Sequence, residues 1–128
     1  MTTEQSRKFI QEYLDAINRD KSEATIDKYV DDSHLKGHII IFETGLPGYQ
    51  LIPQDMITEG NKVTVRFMAQ GEHKGELFGV PPTGRKVNIE AILIYELANN
   101  KIVNHWMQVD SVALMQQIGA MPVAADPH

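Results

Sequence analysis

The sequence has no cysteine at any of its 128 positions. That excludes disulfides, thiolate-ligated zinc, iron–sulfur clusters and thiol nucleophiles, and it suits a reducing cytoplasm, the expected location. Long apolar runs are also missing. The longest, Ile39-Ile40-Ile41-Phe42, is far short of the ~18 residues of a membrane helix. The opening MTTEQSRKF carries no apolar stretch of the signal-peptide kind. Positive charge is scarce and scattered: 12 basic residues stand against 17 acidic ones, for a formal net charge of −5. Nucleic-acid binding needs Lys and Arg gathered on one face, so neither nucleic acid nor membrane is an expected partner.

What is present is a core. With 42% hydrophobic residues, a chain this long buries well over half of its unfolded surface. One domain over residues 1–119 accounts for the pattern. The segment 120–128, with two prolines and little periodicity, reads as a flexible tail. Thr2 and Gln5 have capping-box spacing, and Phe9, Ile10, Tyr13, Leu14 and Ile17 then share one helical face. A second helix fits Ser22 to Val30, a loop Asp31 to Gly37, and a short helix Gly37 to Thr44 ended by Gly45.

The period then becomes two. Strands are expected over Tyr49–Thr58, about Lys62–His73, Arg85–Leu97 and Lys101–Val109, with turns at Gly60-Asn61 and Asn99-Asn100. Pro53 places the first strand at an edge. The stretch GELFGVPPTG, Gly75 to Gly84, cannot be regular structure. Ser111–Ile118 closes the chain as a helix, with Gly119 as its cap. Helices first, an antiparallel meander next and one small helix last make an α+β fold with helices on one face of a coiled sheet. Such a sheet can enclose a conical pocket.

Three stretches carry a family likeness. Gly71-Glu-His-Lys-Gly-Glu-Leu-Phe-Gly79 followed by Val80-Pro-Pro-Thr-Gly84-Arg85 resembles a G-T-H-x-G-x-F-x-G-x-P-P-T-G-R signature. Lys101-Ile-Val-Asn-His-Trp-Met-Gln-Val-Asp110 resembles G-K-I-x-E-H-W-x-x-x-D, and Leu114-Met-Gln-Gln-Ile-Gly119 resembles L-x-Q-L-G. In order and spacing these resemble the SnoaL-like polyketide cyclases of the NTF2-like superfamily. The resemblance implies an NTF2-like cone, a homodimer packed through its sheets, and a cofactor-free intramolecular aldol closure on polyketide esters. Fold alone does not choose the chemistry. Three departures stand out: Met107 where many relatives are acidic, Leu46-Pro47-Gly48 in place of F-P-D, and Asn99-Asn100 in place of an Asp-Gly turn.

The resemblance makes Asp110 the acid/base candidate. A carboxylate in an apolar cavity gains a raised pKa by desolvation. Its place just before a helix equally suits an N-cap, which favours the charged form. Trp106, four residues earlier on the same side of the strand, is expected to form a wall of the cavity, and His105 to point to the outer face. His73, beside the glycine-rich loop, is the second catalytic candidate, a group to orient a carbonyl or share protons. Phe78 is placed as a cap on the pocket and His34 at its mouth. Met68 and Tyr13 are further candidate ligand contacts, although such side chains more often serve the core.

No metal site is expected. His34 and His38 are spaced i, i+4, but Gly37 interrupts the segment and no H-E-x-x-H pattern exists. The loop is no phosphate cradle and no serine sits in a nucleophile-elbow context. The expectation is therefore a cofactor-free cyclase or isomerase for a small hydrophobic carbonyl compound. Two alternatives are a non-catalytic ligand-binding module and an epoxide hydrolase recruiting Arg66 and Glu90.

Overall fold

A computed structural model describes residues 1–121. Residues 122–128, most of the segment read as a tail, lie outside the described residues. Helix α1 spans Thr3–Arg19 and opens with the expected capping box: Thr2 Oγ1 accepts from the Gln5 amide at 3.1 Å, and Gln5 Oε1 from the Thr2 amide at 2.9 Å. Ile10, Tyr13, Leu14 and Ile17 recur at helical spacing and are buried. Each contributes about 1.5–3 kcal/mol of hydrophobic stabilisation. Helix α2, Glu23–Tyr29, is capped by Ser22.

Helix α3 covers Ser33–Gly45, one turn longer than expected. The stretch read as a loop is helical because Asp32 starts it: Oδ1 accepts from the His34 amide at 3.0 Å and the Leu35 amide at 3.1 Å. Gly37 is accommodated inside the helix at a cost of about 1 kcal/mol relative to alanine.

Four antiparallel strands follow in the order β1 (Gln50–Glu59), β2 (Lys62–Glu72), β3 (Lys86–Ala98) and β4 (Lys101–Val109). β1 is an edge strand, and its register shifts between Pro53 and Asp55. At the β3–β4 turn both Asn99 and Asn100 have positive φ, the type I′ pattern whose twist matches that of the strands. Helix α4, Ser111–Gln117, ends the described fold, with Gly119 at φ 81° just beyond it. No helix among the described residues is long and apolar enough to cross a membrane.

The helices cover one face of the sheet. On β2, Val63, Val65 and Phe67 point toward them; on β3, Val87, Ile89, Ala91, Leu93, Tyr95 and Leu97 do so. β4 breaks its own alternation. Leu97 pairs with Ile102 but Glu96 pairs with Asn104, so Val103 is an extra residue. Ile102 is inward; beyond the bulge the inward set is His105, Met107 and Val109, opposite Tyr95, Leu93 and Ala91.

The Gly75–Gly84 loop is tied to α3. The amides of Lys74 and Gly75 both donate to the Gly45 carbonyl at 3.2 Å. A methyl group on Gly75 would stand 1.9 Å from the Thr44 carbonyl oxygen, which is why only glycine fits there.

Candidate functional site

Between α3 and the sheet lies a hollow of about 50 Å³. α3 gives it Leu35, His38, Ile39, Phe42 and Leu46, one helical stripe; the strands give Ala69, Leu93, Tyr95, Met107 and others. Apart from His38 and three tyrosines, every lining side chain is a hydrocarbon or thioether. A second hollow of about 210 Å³ lies against α4 and is bordered by Ile41, Phe78, Ser111 and Leu114. His38, Phe42, Met107 and Val109 line both hollows, so these four side chains form the partition between an inner chamber and an outer vestibule.

The polar part of this region is a cluster on α3 and β4. His105 Nδ1 lies 2.6 Å from Asp32 Oδ2, and both side chains are 7% exposed. Burial alone would raise the Asp32 carboxyl. The hydrogen bonds from His105 and the Leu35 amide, with the His105 charge and the His34 amide, hold it below its ordinary value instead. An ionised carboxylate only accepts, so His105 Nδ1 carries the proton in this contact. The His105 ring meets His38 edge-on, with centroids 5.3 Å apart. Desolvation, then the neighbouring His105 and His34, lowers the His38 pKa, so its imidazole is neutral at neutral pH.

The tyrosines that line the chamber are held as neutral hydroxyls. Burial pushes the pKa of Tyr13, Tyr49 and Tyr95 upward. The Lys21 ammonium sits 4.5 Å from the Tyr49 ring centroid.

The residues singled out from sequence scatter. Tyr13 lines the inner hollow and Phe78 the outer one. Phe78 is more than half exposed, has φ 49°, and meets Phe42 edge-on at 6.0 Å. The other five do not line either hollow. Asp110 is exposed and caps α4, its Oδ1 accepting from the Ala113 amide at 3.0 Å. Its neighbours Val109 and Ser111 border the vestibule, but its own side chain does not.

His73 is fully buried and serves the loop. Its Nδ1 is 2.9 Å from Thr83 Oγ1, and its backbone bonds Arg85 and Gly84. A histidine at a strand end beside a Gly/Pro loop is here occupied in holding that loop. His34 is exposed in the first turn of α3, one turn short of the chamber that His38 reaches. Met68 is on the outer sheet face because the inward set of β2 is odd-numbered.

Trp106 and His105 exchange the places expected of them. Trp106 is 48% exposed on the outer face, with the Lys62 ammonium 5.4 Å from its ring, while His105 faces the helices. Unbroken alternation from the buried Ile102 would put Trp106 inside; the extra residue Val103 reverses the faces. Sequence reading thus missed Asp32, His38 and His105. The one available signal was the apolar pair Met107 and Val109, which share a parity with His105. Arg66 and Glu90 do meet, at 3.1 Å, and Arg66 also holds Asp55 at 2.7 Å, but on the outer face rather than in the cavity. Among the described residues no three of His, Asp and Glu are arranged to hold a metal ion.

A family model for SnoaL-like polyketide cyclases matches residues 4–118. No curated protein matches the chain. In structure it is similar to AclR, a candidate hydroxylase from Streptomyces galilaeus, at TM-score 0.83 and 20% identity over 97% of this chain and 87% of that one. It is also similar to a candidate SnoaL-like polyketide cyclase from Jannaschia sp. CCS1 at TM-score 0.77 and 18% identity, covering 94% and 95%. IdmH, a candidate polyketide cyclase from Streptomyces antibioticus, superposes at TM-score 0.75 and 23% identity, covering 90% and 99%. The helices laid across a curled antiparallel sheet are the NTF2-like α+β cone of these neighbours.

Proposed function

Because the chain belongs to the SnoaL-like polyketide cyclase family, we propose that it binds a small, largely apolar carbonyl compound between α3 and the sheet and moves protons on it without a cofactor. The observation that carries this reading is His38: a neutral imidazole in the partition of an otherwise apolar cavity, packed against the buried His105–Asp32 pair. Its lone pair takes a proton from the carbon next to the ligand carbonyl. The resulting enolate closes on a second carbonyl, breaking that C=O π bond and leaving an alkoxide. The imidazolium then returns the proton to the alkoxide, so atoms and charge balance. The Asp32 carboxylate favours the charged form of His38 and so supports the intermediate step. An isomerase uses the same first step with the proton returned to a different carbon.

The inner hollow is far smaller than the ~300 Å³ or more of typical ligand pockets. Binding therefore extends through the partition into the vestibule. Met107 is the pliable member of that partition, with an unbranched side chain that repacks easily.

The outer sheet face supports a homodimer packed sheet to sheet, as the family resemblance implies. Ile52, Ile57, Ile92 and Trp106 are exposed there.

The test uses indan-1-one in D₂O, following deuterium entry at the carbon beside the carbonyl by NMR. The protein is expected to accelerate exchange, and His38→Gln to lower that acceleration by about 10²–10⁴-fold. Asp110→Asn, which keeps a good helix cap, is expected to leave it intact. The rate should hold through neutral pH and decline only below the ordinary histidine value of about 6.5, because His38 is active when neutral and its pKa is lowered. Saturable binding with no exchange would make the protein a binding module instead.

A further inference from the structure

We infer that the Tyr95 hydroxyl is the donor that holds the carbonyl oxygen of a ligand in the inner hollow; this rests on the pocket reading above and names the part of the site that recognises the oxygen. Tyr95 is fully buried on β3 and lines that hollow. Among the described residues its Oη has no hydrogen-bond partner. Buried hydroxyls nearly always have one, so a lone hydroxyl in an apolar wall marks the place of a ligand's polar atom. Three other buried side-chain atoms also lack a partner, Ser6 Oγ, Thr58 Oγ1 and His73 Nε2, and none belongs to a residue lining either hollow. Tyr95 alone joins the two properties.

Its setting suits the task. The ring is fixed by packing, edge-on to Tyr13 with centroids 5.8 Å apart. Burial pushes its pKa far up, so the hydroxyl stays a donor across the working pH range. Tyr95 is the direct cross-strand partner of His105, and His105 packs on His38. The donor for the oxygen and the base for the adjacent carbon therefore stand on adjoining walls. As the enolate forms, negative charge collects on the oxygen that the hydroxyl holds. The ligand class is a flat, mainly hydrocarbon molecule with a ketone or ester carbonyl at its leading end.

Tyr95→Phe removes this hydroxyl and nothing else. In the full chain, NMR titrations of indan-1-one and of indane, the same skeleton without oxygen, separate oxygen recognition from apolar fit. The variant is expected to bind indan-1-one about five- to tenfold more weakly and indane as before, with Tm unchanged or higher because an unpaired buried group is gone. The infrared carbonyl band of bound indan-1-one, lowered in the wild type by the hydrogen bond, should move back up in the variant. An unchanged affinity for indan-1-one, an equal loss for both probes, or an unshifted carbonyl band would overturn the inference while leaving the pocket in place. If the wild type binds neither probe, the pocket reading and this inference fall together.

Discussion

Asp32 makes two kinds of contact with one carboxylate. One oxygen caps α3 through the His34 and Leu35 amides, and the other accepts from His105. Replacing it with alanine removes a helix cap, worth about 1 kcal/mol. The same change strands a buried imidazole donor, at about 1–3 kcal/mol. Chemical denaturation of Asp32→Ala should show both losses. The carboxyl is held below its ordinary value, so its stabilisation is complete above about pH 4 and is lost as pH falls through the folded value. Acid unfolding of the wild type should accordingly be steeper below that pH than that of Asp32→Asn. The sequence shows Asp32 beside a plausible helix, yet nothing local reveals that its second oxygen meets a residue 73 positions away. Tyr13 was readable from helical spacing; the unpaired hydroxyl of Tyr95 was not, since alternation places a side chain on a face without saying what its tip meets.

The elements were legible wherever one rule acted alone. Capping box, turn asparagines and two-residue alternation led to α1, the β3–β4 turn and most strand limits within a residue or two. α3 was read short because Gly37 suggested a break, whereas the Asp32 cap and the inward stripe outweigh one glycine. The glycine-rich loop was recognised as irregular, but its purpose is tertiary: it covers the end of α3. Gly75→Ala should be destabilising by more than 2 kcal/mol in urea unfolding, since a methyl at 1.9 Å from a backbone oxygen forces the loop off the helix. Because Phe78 belongs to that loop, the variant should also weaken indan-1-one binding through the vestibule wall.

At the scale of the whole molecule, the sheet presents two surfaces of different character. The inner one carries the hollows; the outer one exposes Ile57 at 71% and Trp106 at 48% around an Arg66 that is already neutralised by Asp55 and Glu90. Exposed apolar groups gathered on one face are what the proposed sheet-to-sheet homodimer would cover. Sedimentation should find twice the 14.4 kDa chain mass, and Ile57→Lys combined with Ile92→Lys should return it to a single chain with its fold intact. The extra residue at Val103 decides which of these surfaces receives the indole and which the imidazole. The same residues without the bulge, alternating regularly from Ile102, would turn Trp106 toward the chamber and His105 to the outer face. A single bulge thus sets at once what the chamber wall and the opposite sheet face present, so no change of register there can alter one surface and spare the other.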